Sequence, residues 1–132
     1  MSFDWAEYLH LAHELADSGR ETVSTEACLR SSISRAYYAV FGAACIVLLR
    51  KDKLNIPRYE AHAFVIREYK SSPYRRRRSI GANLERMRDD RNKADYDGTV
   101  VGLPLLTRKT LMLADSVIKE IGHLMRDDGP ST

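Results

Sequence analysis

The most constraining feature of this sequence is an uncharged apolar run in its first half. Fourteen consecutive residues, 36–49, carry no charged side chain. From Leu29 onwards, apolar residues recur at intervals of three and four, which is the helical period, and they form two adjacent stripes. A helix that is apolar on two sides must be covered on two sides. Residues 27–49 are therefore predicted to form the central helix of a bundle.

The length of the run favours a buried helix over a membrane span. Fourteen residues make about 21 Å of helix, which is shorter than the ~30 Å hydrocarbon core of a bilayer. The opening residues MSFDWAEY lack a basic region followed by an apolar one, so we expect no signal peptide and a cytoplasmic location. Cys28 and Cys45 lie about 26 Å apart on the predicted helix, whereas a disulfide needs Cα atoms within roughly 7 Å. We expect no bridge between them.

Helical patterns dominate the remaining sequence. We expect one all-α domain over residues 1–132, an up-and-down bundle of four to five helices. The predicted helices cover residues 4–17, 27–49, 60–70, 79–94 and 105–126. Thr22, Ser24 and Thr25 offer N-caps to the central helix, and Ser18 and Gly19 are expected to end the first helix.

The positive charge of the chain is concentrated in one segment. Residues 67–93 contain ten basic and four acidic residues, a net charge of +6, which leaves −3 for the rest of a chain whose total is +3. This asymmetry predicts an anionic partner, and we expect nucleic-acid contacts from Arg75, Arg76, Arg77, Arg78 and Arg88. Arginine matches phosphate oxygens bidentately. Four cations near a helix start oppose the helix dipole, which favours a functional role over a solvated helix start.

The histidines give weaker indications. His10 and His13 stand three apart, a spacing that can serve a metal, but zinc sites usually have three or four protein ligands, so we predict no metal site. His62 is expected on the apolar face of the third helix with Val65 and Tyr69. A single histidine on such a face is usually packed and hydrogen-bonded, and we prefer that interpretation to a functional one.

Arg91 occupies an unusual position in the fourth helix. Ile80, Leu84, Met87 and Arg91 fall on one line, so the apolar stripe ends in an arginine. A half-buried arginine needs an acidic partner or a phosphate. Asp95, four residues later, could supply an ordinary intrahelical ion pair with no function. The residues leave both interpretations open.

Two segments, SRAYYAVF at residues 34–41 and RNKADY at residues 91–96, together resemble the HEPN superfamily, in particular its small prokaryotic branch. The resemblance covers nearly the whole chain. It implies a compact bundle of four or five helices, commonly a homodimer, without a cofactor. Many relatives are metal-independent endoribonucleases, often toxins paired with a nucleotidyltransferase-type antitoxin. Their active site is an arginine followed by a polar residue, often asparagine, with a histidine a few residues later.

Arg91 and Asn92 match the opening of that motif, but Tyr96 stands where the family has histidine. A tyrosine, with a pKa near ~10, is a poor base, whereas histidine exchanges protons near neutral pH. The resemblance therefore implies one of two functions. The first is a ribonuclease in which Arg91 stabilises the phosphate while Asn92, Asp95 or Tyr96 assists. The second is a catalytically degenerate module that binds RNA, a nucleotide or a partner nucleotidyltransferase.

Two further interpretations remain open. The plainest is a helical interaction protein whose arginines only cover its surface. The other concerns Tyr96, because in some relatives the antitoxin silences the toxin by adenylylating a tyrosine just beyond the motif histidine. Tyr96 occupies the histidine position instead, so the correspondence is incomplete.

Overall fold

The computed structural model describes residues 3–17 and 24–127, and within these ranges the regular structure is helical, without a strand. The five helices are α1 (Ala6–Ala16), α2 (Thr25–Ile46), α3 (Ala61–Lys70), α4 (Arg75–Tyr96) and α5 (Leu103–Arg126). A π-helical turn over Val47–Lys51 extends α2. The predicted all-α bundle is confirmed. The signals predicted at Ser18, Gly19 and Thr22 lie outside the described residues.

Helix α2 is the centre of the bundle. It begins at the predicted cap Ser24, whose Oγ accepts the backbone N–H of Ala27 at 3.1 Å. It packs against α1, α4 and α5, and Ala36, Val40 and Ala44 on it are fully buried. By length and composition alone, the helix over Thr25–Lys51 could cross a membrane, and 61% of its most apolar window is buried inside the bundle. The prediction that other helices cover α2 on two sides is confirmed.

Small residues on α2 allow α1 to approach closely. The indole of Trp5, just before α1, lies directly over Gly42, so a Cβ atom at that position would overlap the ring. Ser32 Oγ donates a hydrogen bond of 2.7 Å to the carbonyl of Ala12 in the same interface. Helix α1 is thus held on α2 by both packing and a buried hydrogen bond.

Helix α4 begins one turn earlier than predicted. It was expected to start at Ser79 but starts at Arg75, so the four consecutive arginines form its first turn. Cations at a helix N-terminus are unfavourable, but carboxylates from other parts of the chain offset them here. Arg77 makes a two-pronged ion pair with Asp52, at 2.5 and 2.9 Å. Arg76 pairs with two carboxylates on and just after α5.

Three helices meet where the candidate site lies. Helix α4 packs against both α2 and α3. The Tyr69 hydroxyl of α3 donates 2.7 Å to the carbonyl of Ala44, which ties α3 to α2. The first turn of α3 lies beside the SRAYYAVF segment of α2, where His62 stacks on Phe41. The second half of α4 lies beside the same segment, where Arg91 contacts the ring of Tyr38. Cys28 and Cys45 form no disulfide, as predicted.

Candidate anion-binding site

Arg91 is buried at the end of the apolar stripe of α4. Only 8% of the residue is exposed, which is deeper than the half-buried position predicted. Its Nη1 lies 3.6 Å from Asp95 Oδ2, longer than a normal hydrogen bond, and its buried Nε has no hydrogen-bond partner among the described residues. The guanidinium therefore has one loose ion pair and one unmet donor.

Aromatic rings surround the Arg91 guanidinium. Its Cζ lies 5.5 Å from the ring centroid of Tyr37, 5.3 Å from that of Tyr38 and 6.0 Å from that of Tyr96. Cation–π attraction of this kind stabilises a buried cation. A ring face does not replace an oxygen acceptor, however, so the Nε donor stays unsatisfied.

Arg88 lies one turn before Arg91, and within residues 3–17 and 24–127 its buried Nε likewise has no hydrogen-bond partner. It lines a surface cavity of about 450 Å³ between α3 and α4, together with Arg67 and Lys70. The charges of Arg88 and Arg91 both act on the Tyr37 hydroxyl. We call Arg88 and Arg91 the arginine cluster. In the described part of the chain the ion pair of this cluster is that of Arg91 with Asp95, and Glu85 and Asp89 line the same cavity as Arg88.

The predicted catalytic residues are only partly brought together. Asp95 Oδ2 lies near Arg91 and also accepts a hydrogen bond of 3.3 Å from Ser34 Oγ. Tyr96 contacts Arg91 through its ring and is 75% exposed. Asn92 is exposed. The structure therefore joins Arg91, Asp95 and Tyr96 in one place, with Ser34 added from α2.

The four consecutive arginines, residues 75–78, differ in their ion pairs and in their exposure. Arg77 is buried against Asp52, and although burial opposes it, the hydrogen bond and charge of Asp52 raise the pKa of Arg77. Arg76 Nε lies 2.9 Å from Glu120 Oε2. Arg75 and Arg78 are exposed on the surface. RNA contact by this run stays a prediction, and its exposed members are the ones sterically available for it.

His62 lies near the arginine cluster, which the sequence did not predict. It lies in the first turn of α3, half-buried, with its ring stacked on Phe41 at a centroid distance of 4.1 Å. Its Nδ1 lies 2.5 Å from the Tyr37 hydroxyl. Burial, and then the charges of Arg88 and Arg91, lower the pKa of His62. It is packed and hydrogen-bonded, as predicted, but it is also a neighbour of the arginine cluster.

The SRAYYAVF segment connects these residues. Successive turns of α2 present its polar and aromatic side chains to partners from other helices. The pairs are Ser34 with Asp95, Arg35 with Tyr8, Tyr37 with His62, and Tyr38 with Arg91. Burial raises the pKa of Tyr37 far above its ordinary value, so its hydroxyl keeps its proton at all ordinary pH.

The histidines of α1 do not form a metal site with other ligands in the described part of the chain. His13 Nε2 lies 2.9 Å from Asp115 Oδ1 of α5. Over residues 3–17 and 24–127 no group of three or more potential ligands is placed to hold a metal ion.

Searches of protein-family models, curated proteins and solved structures found no match to this chain. The resemblance to HEPN proteins therefore rests on the two sequence segments. What the site does has to be argued from its geometry, above all from the arginine cluster.

Proposed function

We propose that this protein is a HEPN-type RNA-binding protein that holds the phosphodiester backbone at Arg91, in a site of the kind used by toxin-like, metal-independent endoribonucleases. The observation that carries the proposal is the buried Arg91 guanidinium, whose ion pair with Asp95 measures 3.6 Å and whose Nε has no partner in the part of the chain that the structure describes. A buried donor left without an acceptor costs about 1–3 kcal/mol. A phosphodiester oxygen at the guanidinium would supply the close anionic acceptor that Asp95, 3.6 Å from Nη1, does not provide.

A phosphodiester of single-stranded RNA suits the site better than a lone carboxylate. Its two non-bridging oxygens match the fork of a guanidinium. The exposed ring of Tyr96, in contact with Arg91, offers a surface on which an unpaired base can stack. Together, Arg91 and Tyr96 suit one nucleotide, with Arg91 on the phosphate and Tyr96 on the base.

The same arrangement supports a cleavage reaction. The 2′-oxygen of the ribose would attack the adjacent phosphorus, losing its proton, and the 5′-oxygen would leave and gain one. Negative charge develops on the phosphate oxygens in between, and a pre-positioned Arg91 would stabilise it. No metal ion takes part in this scheme. The expected products are a cyclic phosphate and a 5′-hydroxyl.

A binding module without catalysis is the second candidate. The observation that favours it is the ion pair of Arg91 with Asp95, because this carboxylate is already engaged by Arg91 and by the Ser34 hydroxyl. In this form the protein would bind RNA, a nucleotide or a nucleotidyltransferase-type antitoxin without cutting. Both candidates include a homodimer, which light scattering of the purified protein tests.

RNA binding and cleavage in EDTA test the proposal. Arg91→Ala is expected to lower the affinity for single-stranded RNA by about tenfold or more, since charge-assisted contacts contribute about 1.5–3 kcal/mol. Arg108→Ala, at an exposed position on α5, is the matched control and should change affinity by less than about twofold. Equal affinities for wild type and a folded Arg91→Ala would contradict the proposal. Wild-type cleavage that Arg91→Ala lacks selects the ribonuclease, and binding without cleavage selects the module.

The exposure of Tyr96 permits a separate check on the antitoxin. A nucleotidyltransferase partner could reach its hydroxyl, since the residue is 75% exposed. Mass spectrometry of the protein co-expressed with its genomic neighbours would show an added adenylyl group on Tyr96. An unmodified Tyr96 under those conditions would contradict adenylylation there.

A further inference from the structure

The hydrogen bond between Tyr37 and His62 determines which ring nitrogen of His62 carries the proton. Tyr37 is fully buried, so surface water does not reach its hydroxyl. Among the described residues, the only hydrogen-bond partner of this hydroxyl is His62 Nδ1, at 2.5 Å. A buried hydroxyl hydrogen needs an acceptor. Tyr37 therefore donates, and His62 Nδ1 accepts.

This assignment places the imidazole hydrogen on Nε2. A neutral imidazole has one donor and one acceptor nitrogen, so an accepting Nδ1 implies Nε2–H. The opposite tautomer would leave the Tyr37 hydrogen buried without an acceptor, at a cost of about 1–3 kcal/mol. Burial and the charges of Arg88 and Arg91 also keep the ring uncharged near neutral pH, because they lower the pKa of His62.

His62 and Arg91 are placed around the same two aromatic rings. The His62 ring lies 5.5 Å from the Tyr37 ring and 5.9 Å from the Tyr38 ring. The Arg91 Cζ lies at 5.5 and 5.3 Å from the same rings. Phe41 holds the imidazole nearly parallel to its own ring, at 13°. The imidazole of α3 and the guanidinium of α4 thus lie beside the same two rings of α2, of which Tyr37 is buried and Tyr38 is partly exposed.

We propose that His62 donates its Nε2–H to the RNA phosphodiester bound by Arg91, and that Tyr37 is the positioning residue that fixes this tautomer. The inference rests on the proposed function, since it names a second binding residue of the same site. A neutral imidazole N–H stabilises developing negative charge without acting as a base. His62 thereby supplies from α3 a histidine contact that α4 lacks.

Two amide substitutions separate donation by Nε2 from a merely structural role. The glutamine amide extends to the position of Nε2, so His62→Gln keeps a donor there, whereas His62→Asn places its amide near Nδ1 and loses that donor. Affinity is measured for a single-stranded RNA with 2′-O-methyl groups, which cannot be cleaved. His62→Asn is expected to bind about tenfold more weakly, as for loss of a hydrogen bond to a charged group, and His62→Gln within about threefold of wild type.

The outcomes distinguish this inference from the proposed function. Wild-type affinity in a folded His62→Asn, or equal weakening in both variants, would overturn the role of His62. If Arg91→Ala weakens binding while His62→Asn does not, only the His62 inference fails. If Arg91→Ala binds like wild type, the proposed function itself fails. Thermal melts of each variant establish that the protein is folded at the assay temperature.

Nitrogen NMR of the imidazole tests the role of Tyr37 without any RNA. The His62 signals are assigned by their loss in His62→Gln. In the wild-type protein near neutral pH, we expect Nε2 to be the proton-bearing nitrogen, and in Tyr37→Phe we expect a mixture of the two tautomers. A wild-type spectrum with the proton on Nδ1, or an unchanged spectrum in Tyr37→Phe, would overturn the assignment.

Discussion

Among single residues, His62 is the one whose ionisation should most clearly affect stability. Burial, and then the charges of Arg88 and Arg91, lower the pKa of His62, and Tyr37 occupies its Nδ1. The unfolded chain therefore takes up this proton more readily than the folded one. Below about pH 6.5 the imidazole of the unfolded chain becomes protonated while that of the folded chain stays neutral. The free energy of unfolding therefore falls as the pH is lowered below that value.

Urea unfolding at two pH values measures this effect. Between about pH 7.5 and pH 5.5, the free energy of unfolding should fall more for wild type than for His62→Gln, which has no proton to gain at this position. The other histidines and the carboxylates are common to both proteins, so they cancel in the comparison. Equal decreases in the two proteins would show that His62 does not titrate with a lowered pKa.

Gly42 is the residue on which the contact between α1 and α2 depends most sharply. A methyl group there would overlap the Trp5 indole, so Gly42→Ala should destabilise the protein by about 1–3 kcal/mol despite its better helix propensity. Gly122→Ala on α5 is the matched control. Its Cβ would meet only the end of the Arg126 side chain, at 3.2 Å, and up to about 1 kcal/mol of stabilisation is expected. Thermal unfolding that ranks the two variants the other way would contradict this packing.

At the scale of helices, α4 depends on residues outside itself to begin where it does. Arg77 and Asp52 are 11% and 24% exposed, and they join the first turn of α4 to the segment after the π-helical turn. Asp52→Asn would leave a nearly buried cation unpaired and should destabilise the protein by about 3 kcal/mol. The double variant Asp52→Asn with Arg77→Met removes both charges and should recover part of that loss. Chemical denaturation measures both, and a neutral Asp52→Asn would contradict a stabilising role for the pair.

Local sequence patterns predicted the helices well because their apolar spacing is regular. The start of α4 at Arg75 was not predicted. The carboxylates that offset its N-terminal arginines, on Asp52 and on α5, are distant in sequence. Arg91 stood out because it ended an apolar stripe. The proximity of His62 to Arg91 was not predictable, since it depends on how α3 packs against α2 and α4. A pattern within one helix indicates which face is buried, but not which side chains of other helices it will meet.

For the whole molecule, the net charge says less about where RNA binds than do the positions of the basic residues that lack a close carboxylate. Residues 67–93 carry a net +6, but the fold pairs Lys70, Arg76 and Arg77 with carboxylates. Among the described residues, the buried Nε atoms of Arg77, Arg88 and Arg91 all lack a hydrogen-bond partner, but Arg77 has two short bonds to Asp52 whereas Arg91 has one ion pair of 3.6 Å. We therefore expect RNA to bind through few phosphate contacts centred on the cluster, with a correspondingly modest dependence on salt.

The most direct measurement is the salt dependence of RNA affinity for wild type and Arg91→Ala. Each phosphate contact on a single strand contributes about 0.7 to the slope of log affinity against log salt concentration. The account predicts that Arg91→Ala lowers the affinity at every salt concentration and reduces the slope by roughly that amount, while Arg108→Ala leaves the slope unchanged. Identical slopes and affinities for wild type and Arg91→Ala would show that Arg91 does not contact phosphate, and would contradict the account.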